Sequence, residues 1–75
     1  MKKKIEKKYF IIIDNEDCVW HKKSGEWDII NIEYITKSNF LSLKQAKKWK
    51  KELDNTVGKK NKIIFNVKEI MIYIL

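Results

Sequence analysis

The 75-residue sequence contains no proline and no arginine, two glycines and one cysteine. A lone cysteine excludes an intramolecular disulfide, so the fold must rest on its hydrophobic core, and a reducing compartment is favoured. With only Gly25 and Gly58, a glycine-rich phosphate-binding loop is excluded. Without arginine, the planar side chain that pairs bidentately with guanine or phosphate is missing. All 17 basic residues are lysines, which attract anions but are poorly suited to recognising bases.

The composition is typical of one small, basic globular domain. Hydrophobic residues make up 44% of the chain, charged residues 36%, and the formal net charge is +7. A disordered chain would contain fewer apolar residues. We therefore expect a single domain over residues 1–75, with residues 1–7 as a flexible basic tail. So short a chain retains little surface for a concave site, which excludes most self-contained enzymes.

No apolar run in the sequence is long enough to cross a membrane. Residues 9–13 and 70–75 fall far below the roughly 20 residues that a spanning helix needs. The lysines at the N-terminus resemble the start of a signal peptide, but the apolar run after them is too short and ends in acidic residues. We expect a soluble protein of the bacterial cytoplasm, without a membrane partner.

The hydrophobic pattern predicts an α+β fold. Strands are indicated by β-branched and aromatic runs at 9–13, 18–21 and 27–35, with a bulge near Asp28 or Ile29, and residues 63–75 form either one long strand or two short ones. Lys22–Gly25 forms a hairpin turn and Phe40 returns to the core. We expect an antiparallel sheet of about four strands with one helix packed on one face, in the order β-β-β-α-β.

The helix is predicted from its cap and its apolar spacing. Ser42 is a good N-cap with Gln45 three residues later, which is the pattern of a capping box. An apolar arc of about 120° on the helix makes Trp49 the expected centre of the contact with the sheet. Its members are Leu43, Ala46, Trp49 and Leu53. Residues 54–58 are expected to end the helix, with Gly58 as a stop signal.

No arrangement of residues in the sequence predicts catalysis or metal binding. Cys18 and His21 are three residues apart on a strand, so their side chains point to opposite faces. A zinc site needs about four ligands, and the chain has no second cysteine or histidine. The acids at 14, 16 and 17 fit a turn better than a calcium loop, whose ligand spacing is longer. We expect no catalytic residue, no metal and no cofactor.

Lysines and aromatic residues are the candidates for binding. Four lysines of the helix share an arc of about 100°, and a basic loop follows the helix. This face either docks an anionic partner or is the solvated face of a lysine-rich protein. Trp20, Trp27 and Tyr34 either stack on nucleic-acid bases or cover the second face of the sheet. The lysines of this candidate set are Lys44, Lys47, Lys48, Lys51, Lys59 and Lys60.

The order of segments resembles that of small orphan proteins of phages and mobile elements in low-GC bacteria. The segments are K-Y-F-I-I-I, a tryptophan-containing hairpin, Phe40–Trp49 and K-I-I-F-N-V. Lysine, isoleucine and asparagine are abundant, and because their codons are A/T-rich, this composition agrees with such a source. Proteins of this kind are often inhibitors of host machinery, including anti-CRISPR proteins. The resemblance covers most of the chain, and no functional residue is carried over from it.

The sequence predicts a non-enzymatic binding protein that inhibits a bacterial defence or host complex by occupying a surface. The expected partner is an acidic protein surface or a protein–nucleic-acid complex. The alternative is a basic nucleic-acid-binding module with little sequence specificity. The apolar C-terminal run also predicts a homodimer that pairs through the sheet edge or the C-terminal strand.

Overall fold

The computed structural model describes residues 5–74, with side chains for residues 7–71. Four strands form one antiparallel sheet in the order β3-β2-β1-β4. A single helical stretch connects β3 to β4, which confirms the predicted α+β class and element order. The elements are β1 (Ile5–Ile13), β2 (Cys18–Lys23), β3 (Glu26–Asn31), α1 (Leu43–Leu53), α2 (Lys59–Asn61) and β4 (Asn66–Ile74). No helix in this part of the chain is long and apolar enough to span a membrane.

The long strands β1 and β4 pair with each other over all nine of their residues. β1 therefore begins at Ile5, so residues 5–7 of the predicted tail belong to the sheet, and residues 1–4 lie outside the described residues. β4 is one continuous strand from Asn66, which decides between the two alternatives for the C-terminal run. Residues 63–65 precede this strand, and Phe65 is buried in the core.

The hairpin of β2 and β3 has an unbroken register, from Cys18 opposite Asn31 to Lys23 opposite Glu26. Its two turn residues, Ser24 and Gly25, have φ of 52° and 82°, as a tight two-residue hairpin turn requires. The predicted bulge is therefore wrong, because neighbouring isoleucines at 29 and 30 simply fall on opposite faces.

The predicted third strand is too long, because β3 ends at Asn31 and not at Ile35. The Asn31 side chain accepts a hydrogen bond from Glu33 N at 2.9 Å and so starts a 3-10 turn over Ile32–Tyr34. A second 3-10 turn follows over Lys37–Asn39. Local side-chain capping has overridden the β pattern of this segment.

Leu41 takes a place beside β1 that a fully paired β2 would otherwise occupy. β1 contacts β2 in register only at Ile13 and Val19, whereas Phe10 and Leu41 exchange two backbone hydrogen bonds of 2.8 Å. Leu41 is buried, and Phe40 is half-buried against Tyr9. The prediction that Phe40 returns to the core is therefore wrong by one residue, because backbone pairing directs Leu41 inward.

The helix begins as predicted, with the Ser42 side chain accepting a hydrogen bond from Gln45 N. Its buried face differs from the predicted arc: Ala46 and Leu53 are fully buried, but Leu43 is 42% exposed and Trp49 is half-buried. The core is not centred on Trp49, because the hairpin brings Trp20 under the helix. The buried cluster consists of Ile12, Trp20, Leu41, Ala46, Leu53 and Phe65.

The predicted end of the helix is wrong, because the helical stretch continues through residues 54–58 as a π turn and then as α2. Gly58 has φ of −62°, so it is no stop signal. It is buried at a close approach: a Cβ atom there would lie 3.0 Å from the carbonyl oxygens of both Leu53 and Ile63. Lys62, with φ of 56°, ends the helical stretch.

Candidate polyanion-binding face

Six exposed lysines lie along one side of the helical stretch, and we call this set the lysine stripe. Four of them lie on α1 within an arc of about 100°, at about 100° per residue. On the same scale, the fully buried Ala46 and Leu53 lie about 150° and 170° from the middle of this arc. The four lysines therefore point away from the sheet. The stripe consists of Lys44, Lys47, Lys48, Lys51, Lys59 and Lys60.

The π turn brings the last two lysines into the stripe. Because a π turn accommodates one extra residue, every later residue lags by about 100° relative to an uninterrupted α-helix. Gly58 shows this displacement, since an uninterrupted helix would turn it toward solvent, whereas it is buried against the core. With the same lag, Lys59 and Lys60 extend the arc to only about 120°, although the sequence predicted a basic loop there.

Both acidic residues beside the stripe are engaged by lysines outside it. Glu52 accepts from Lys22 Nζ at 2.9 Å, which ties the helix to β2, and Asp54 accepts from Lys50 Nζ at 2.6 Å. No ion pair among residues 7–71 involves a stripe lysine. The positive field of the stripe is therefore not compensated from within this part of the protein.

Trp20 and Trp27 lie on the face of the sheet that the helix covers, so the alternative that they cover the second face is wrong, whereas stacking by Trp27 stays a prediction. Trp20 is 7% exposed, packs edge-on against Phe65 at 5.1 Å and donates from Nε1 to Asp14 Oδ2 at 2.8 Å. Trp27 is half-buried against Trp49 at 5.5 Å. Trp20 is consequently unavailable to a partner, because hairpin pairing turns it into the core.

The acidic segment forms a turn, as its composition predicts. Asp14 Oδ1 accepts from the backbone N–H groups of Glu16 and Cys18, at 2.8 and 3.0 Å. Burial acts to raise the pKa of Asp14, but these bonds and the one from Trp20 outweigh it, so the pKa lies below its ordinary value. The carboxylate is a structural anchor that joins the turn to the core.

Cys18 and His21 share no hydrogen bond, and the surroundings of each side chain disfavour its charged form. Burial, assisted by the neighbouring carboxylates of Asp14, Glu16 and Asp17, raises the pKa of the Cys18 thiol. Burial lowers the pKa of His21, and its Nδ1 is a buried atom without a hydrogen-bond partner. Across the described part of the chain, no three His, Cys, Asp or Glu side chains are grouped to hold a metal ion.

The second face of the sheet is covered by the segment between β3 and α1. A cavity of about 380 Å³ separates Asp28 and Ile30 of β3 from Tyr34, Thr36 and the buried Asn39 of this segment. The sequence carried no signal for this cavity, because it joins residues from separate elements. The lining includes both Lys23 and Asp28, which carry opposite charges.

β4 lies at the edge of the sheet, as the apolar C-terminal run suggested. Met71 on this strand is 44% exposed. Pairing of this edge with a second copy stays a prediction.

Comparisons of the chain with known protein families, with curated proteins and with solved structures find no match.

Proposed function

We propose that the protein is a non-enzymatic binding protein that docks through the lysine stripe onto an anionic surface of a bacterial host or defence complex. By occupying that surface, it inhibits the complex. The observation that supports this proposal is the stripe itself: six exposed lysines aligned on one face, with both neighbouring acids engaged elsewhere.

The stripe is held on a rigid support, which favours recognition over incidental charge. Ala46 and Leu53 anchor the opposite side of the helix in the core, and the Lys22–Glu52 ion pair fixes its flank. The like-charge pairs Lys44–Lys48 and Lys47–Lys51 destabilise the helix by only a few tenths of a kcal/mol each. Core packing tolerates this cost easily, so the lysines keep a regular spacing that a flexible tail would lose.

Inhibition as the outcome of docking rests on the resemblance to small proteins of phages and mobile elements. Such proteins are often inhibitors of host machinery, and a domain of this size with a row of lysines on one face is suited to blocking a surface. The partner is accordingly an acidic protein surface or a protein–nucleic-acid complex of the host cell.

Affinity capture from the lysate of a low-GC bacterium tests the docking, with a matched pair of variants. The stripe variant K44Q/K47Q/K48Q/K51Q and the control K7Q/K23Q/K37Q/K68Q remove four exposed lysines each, so their net charges are equal. We expect the wild type and the control to retain the same macromolecule, and the stripe variant to lose it. Equal retention by both variants would refute a role of the stripe.

A plaque assay tests the inhibition. We expect expression of the wild type and the control variant to raise the plating efficiency of a phage on a host with an active defence system, and the stripe variant to have no effect. If the wild type does not raise the plating efficiency on hosts from whose lysates it captures a complex, docking occurs without inhibition, and the proposed inhibition is rejected.

A further inference from the structure

We propose that the lysine stripe binds the sugar–phosphate backbone of duplex nucleic acid, and that the π turn extends its footprint from four lysines to six. This inference rests on the proposed function, since it names the anionic partner of the same face.

The composition of the stripe favours nucleic acid over a protein surface. Protein–protein interfaces are depleted in lysine, and their buried centres carry aromatic and apolar anchors. No apolar side chain lies within the arc of the stripe, and the nearby exposed Leu43 lies outside it. Binding to a phosphate backbone requires only cations in reach of the phosphates, because release of condensed counterions supplies the affinity.

The placement of the aromatic side chains favours a duplex over a single strand. Single-strand binding combines a basic groove with aromatic rings on which bases stack. Among residues 7–71, Tyr34 is the exposed aromatic side chain, and it lies in the segment that covers the second face of the sheet. Trp20, Trp27 and Trp49 pack against one another or the core.

The length of the lysine stripe matches a short stretch of duplex backbone. From Lys44 to Lys60 the helical stretch rises about 24 Å, at about 1.5 Å per residue. This length corresponds to about seven base pairs at 3.4 Å each. Since lysine is a point charge without a planar fork, the contacts position the protein and leave the base sequence unread.

The π turn determines how many phosphates the stripe meets. In an uninterrupted helix Lys60 would rotate by about 100° toward the core side, and Lys59 would move to the margin of the arc. The extra residue places Gly58 on the core side, where it is buried and where a Cβ atom would lie 3.0 Å from the carbonyl oxygens of Leu53 and Ile63. The same turn that closes the core therefore aligns the last two lysines.

Fluorescence anisotropy with a labelled 30-base-pair duplex of arbitrary sequence, titrated at several salt concentrations, tests both parts of the inference. For six phosphate contacts, log K should fall with log salt at a slope of about −5.4. The variant K59Q/K60Q should reduce the slope to about −3.6, while the matched control K7Q/K68Q should keep it at about −5.4. Circular dichroism confirms that each variant is folded.

Specific outcomes overturn the inference. Absence of duplex binding at about 50 mM salt rejects nucleic acid as the partner, and an unchanged slope in K59Q/K60Q rejects the role of the π turn. Stripe-dependent capture of a protein that survives nuclease treatment, with no duplex binding, overturns this inference and leaves the docking function intact. If neither capture nor duplex binding depends on the stripe, both proposals fall.

Discussion

Replacement of Gly58 by alanine should destabilise the protein, although alanine favours helix. Gly58 lies in the helical region of the backbone, so alanine by itself would contribute about 1 kcal/mol of helix propensity. The added methyl group would lie 3.0 Å from the carbonyl oxygens of Leu53 and Ile63, and 3.2 Å from Phe65 Cε2. Ordinary contacts of this kind are about 3.5 Å or longer.

The steric term should exceed the propensity term. The two closest atoms belong to the backbone, so relief requires a shift of the helix end or of the segment that leads to β4. Overpacking of this kind costs about 1–3 kcal/mol. With a cost in the middle of that range and the propensity gain subtracted, we expect a net loss of about 1 kcal/mol in the free energy of unfolding. For a domain of this size that corresponds to a fall in Tm of about 4–8 °C.

Thermal unfolding followed by circular dichroism measures the effect, together with urea titration. Asn55→Ala provides the control, because this exposed position of the same helical stretch should gain about 0.5 kcal/mol from propensity alone. A Gly58→Ala variant as stable as the wild type, or more stable, would refute the reasoning. Such a result would show that the π turn does not hold Gly58 against the core.

Three further predictions concern groups whose environment the fold determines. Trp20→Phe removes the Nε1 donor to Asp14. The lowered pKa of Asp14 stabilises the fold above pH 3.8, and this stabilisation is lost as pH falls through the folded-state pKa. In urea titrations between pH 2 and 6, the free energy of unfolding of the variant should therefore fall less with decreasing pH than that of the wild type. Below pH 6.5 the free energy of unfolding of the wild type should fall, because the histidine of the unfolded chain takes up a proton before the buried imidazole of the folded protein does. His21→Phe should abolish this fall. A wild-type stability that stays constant from pH 8 to 5 would contradict this prediction. Ser42→Ala should lower the free energy of unfolding by about 1 kcal/mol through loss of the N-cap, and an unchanged urea midpoint would count against the cap.

Local signals predicted those elements whose determinants lie within a few residues. The β-branched runs predicted β1 and β2, and the cap at Ser42 predicted where α1 begins, because each depends on backbone preferences of adjacent residues. Asp14 and its acidic neighbours predicted the first turn for the same reason. These elements agree with the structure apart from their outer bounds.

The errors occur where a side-chain cap or a contact between distant residues outweighs the hydrophobic pattern. The local cap at Asn31 ends the strand predicted over residues 27–35, and the long-range pairing of Leu41 with Phe10 then redirects the chain. The apolar arc of the helix made Trp49 the centre of the core, but the register of the hairpin gives that place to Trp20. Neither contact has a signature within a sequence window.

Sequence alone determined the chemical character of this protein: a basic, lysine-only surface, a core without disulfides, and a capped amphipathic helix beside a β-rich chain. These properties follow from side-chain type and periodicity, which no fold alters. Tertiary structure alone decided that Trp20 is withdrawn from the surface and that six lysines share one face. That alignment arises because the π turn over Asp54–Gly58 adds one residue to the helical stretch, which rotates Lys59 and Lys60 into line with the rest.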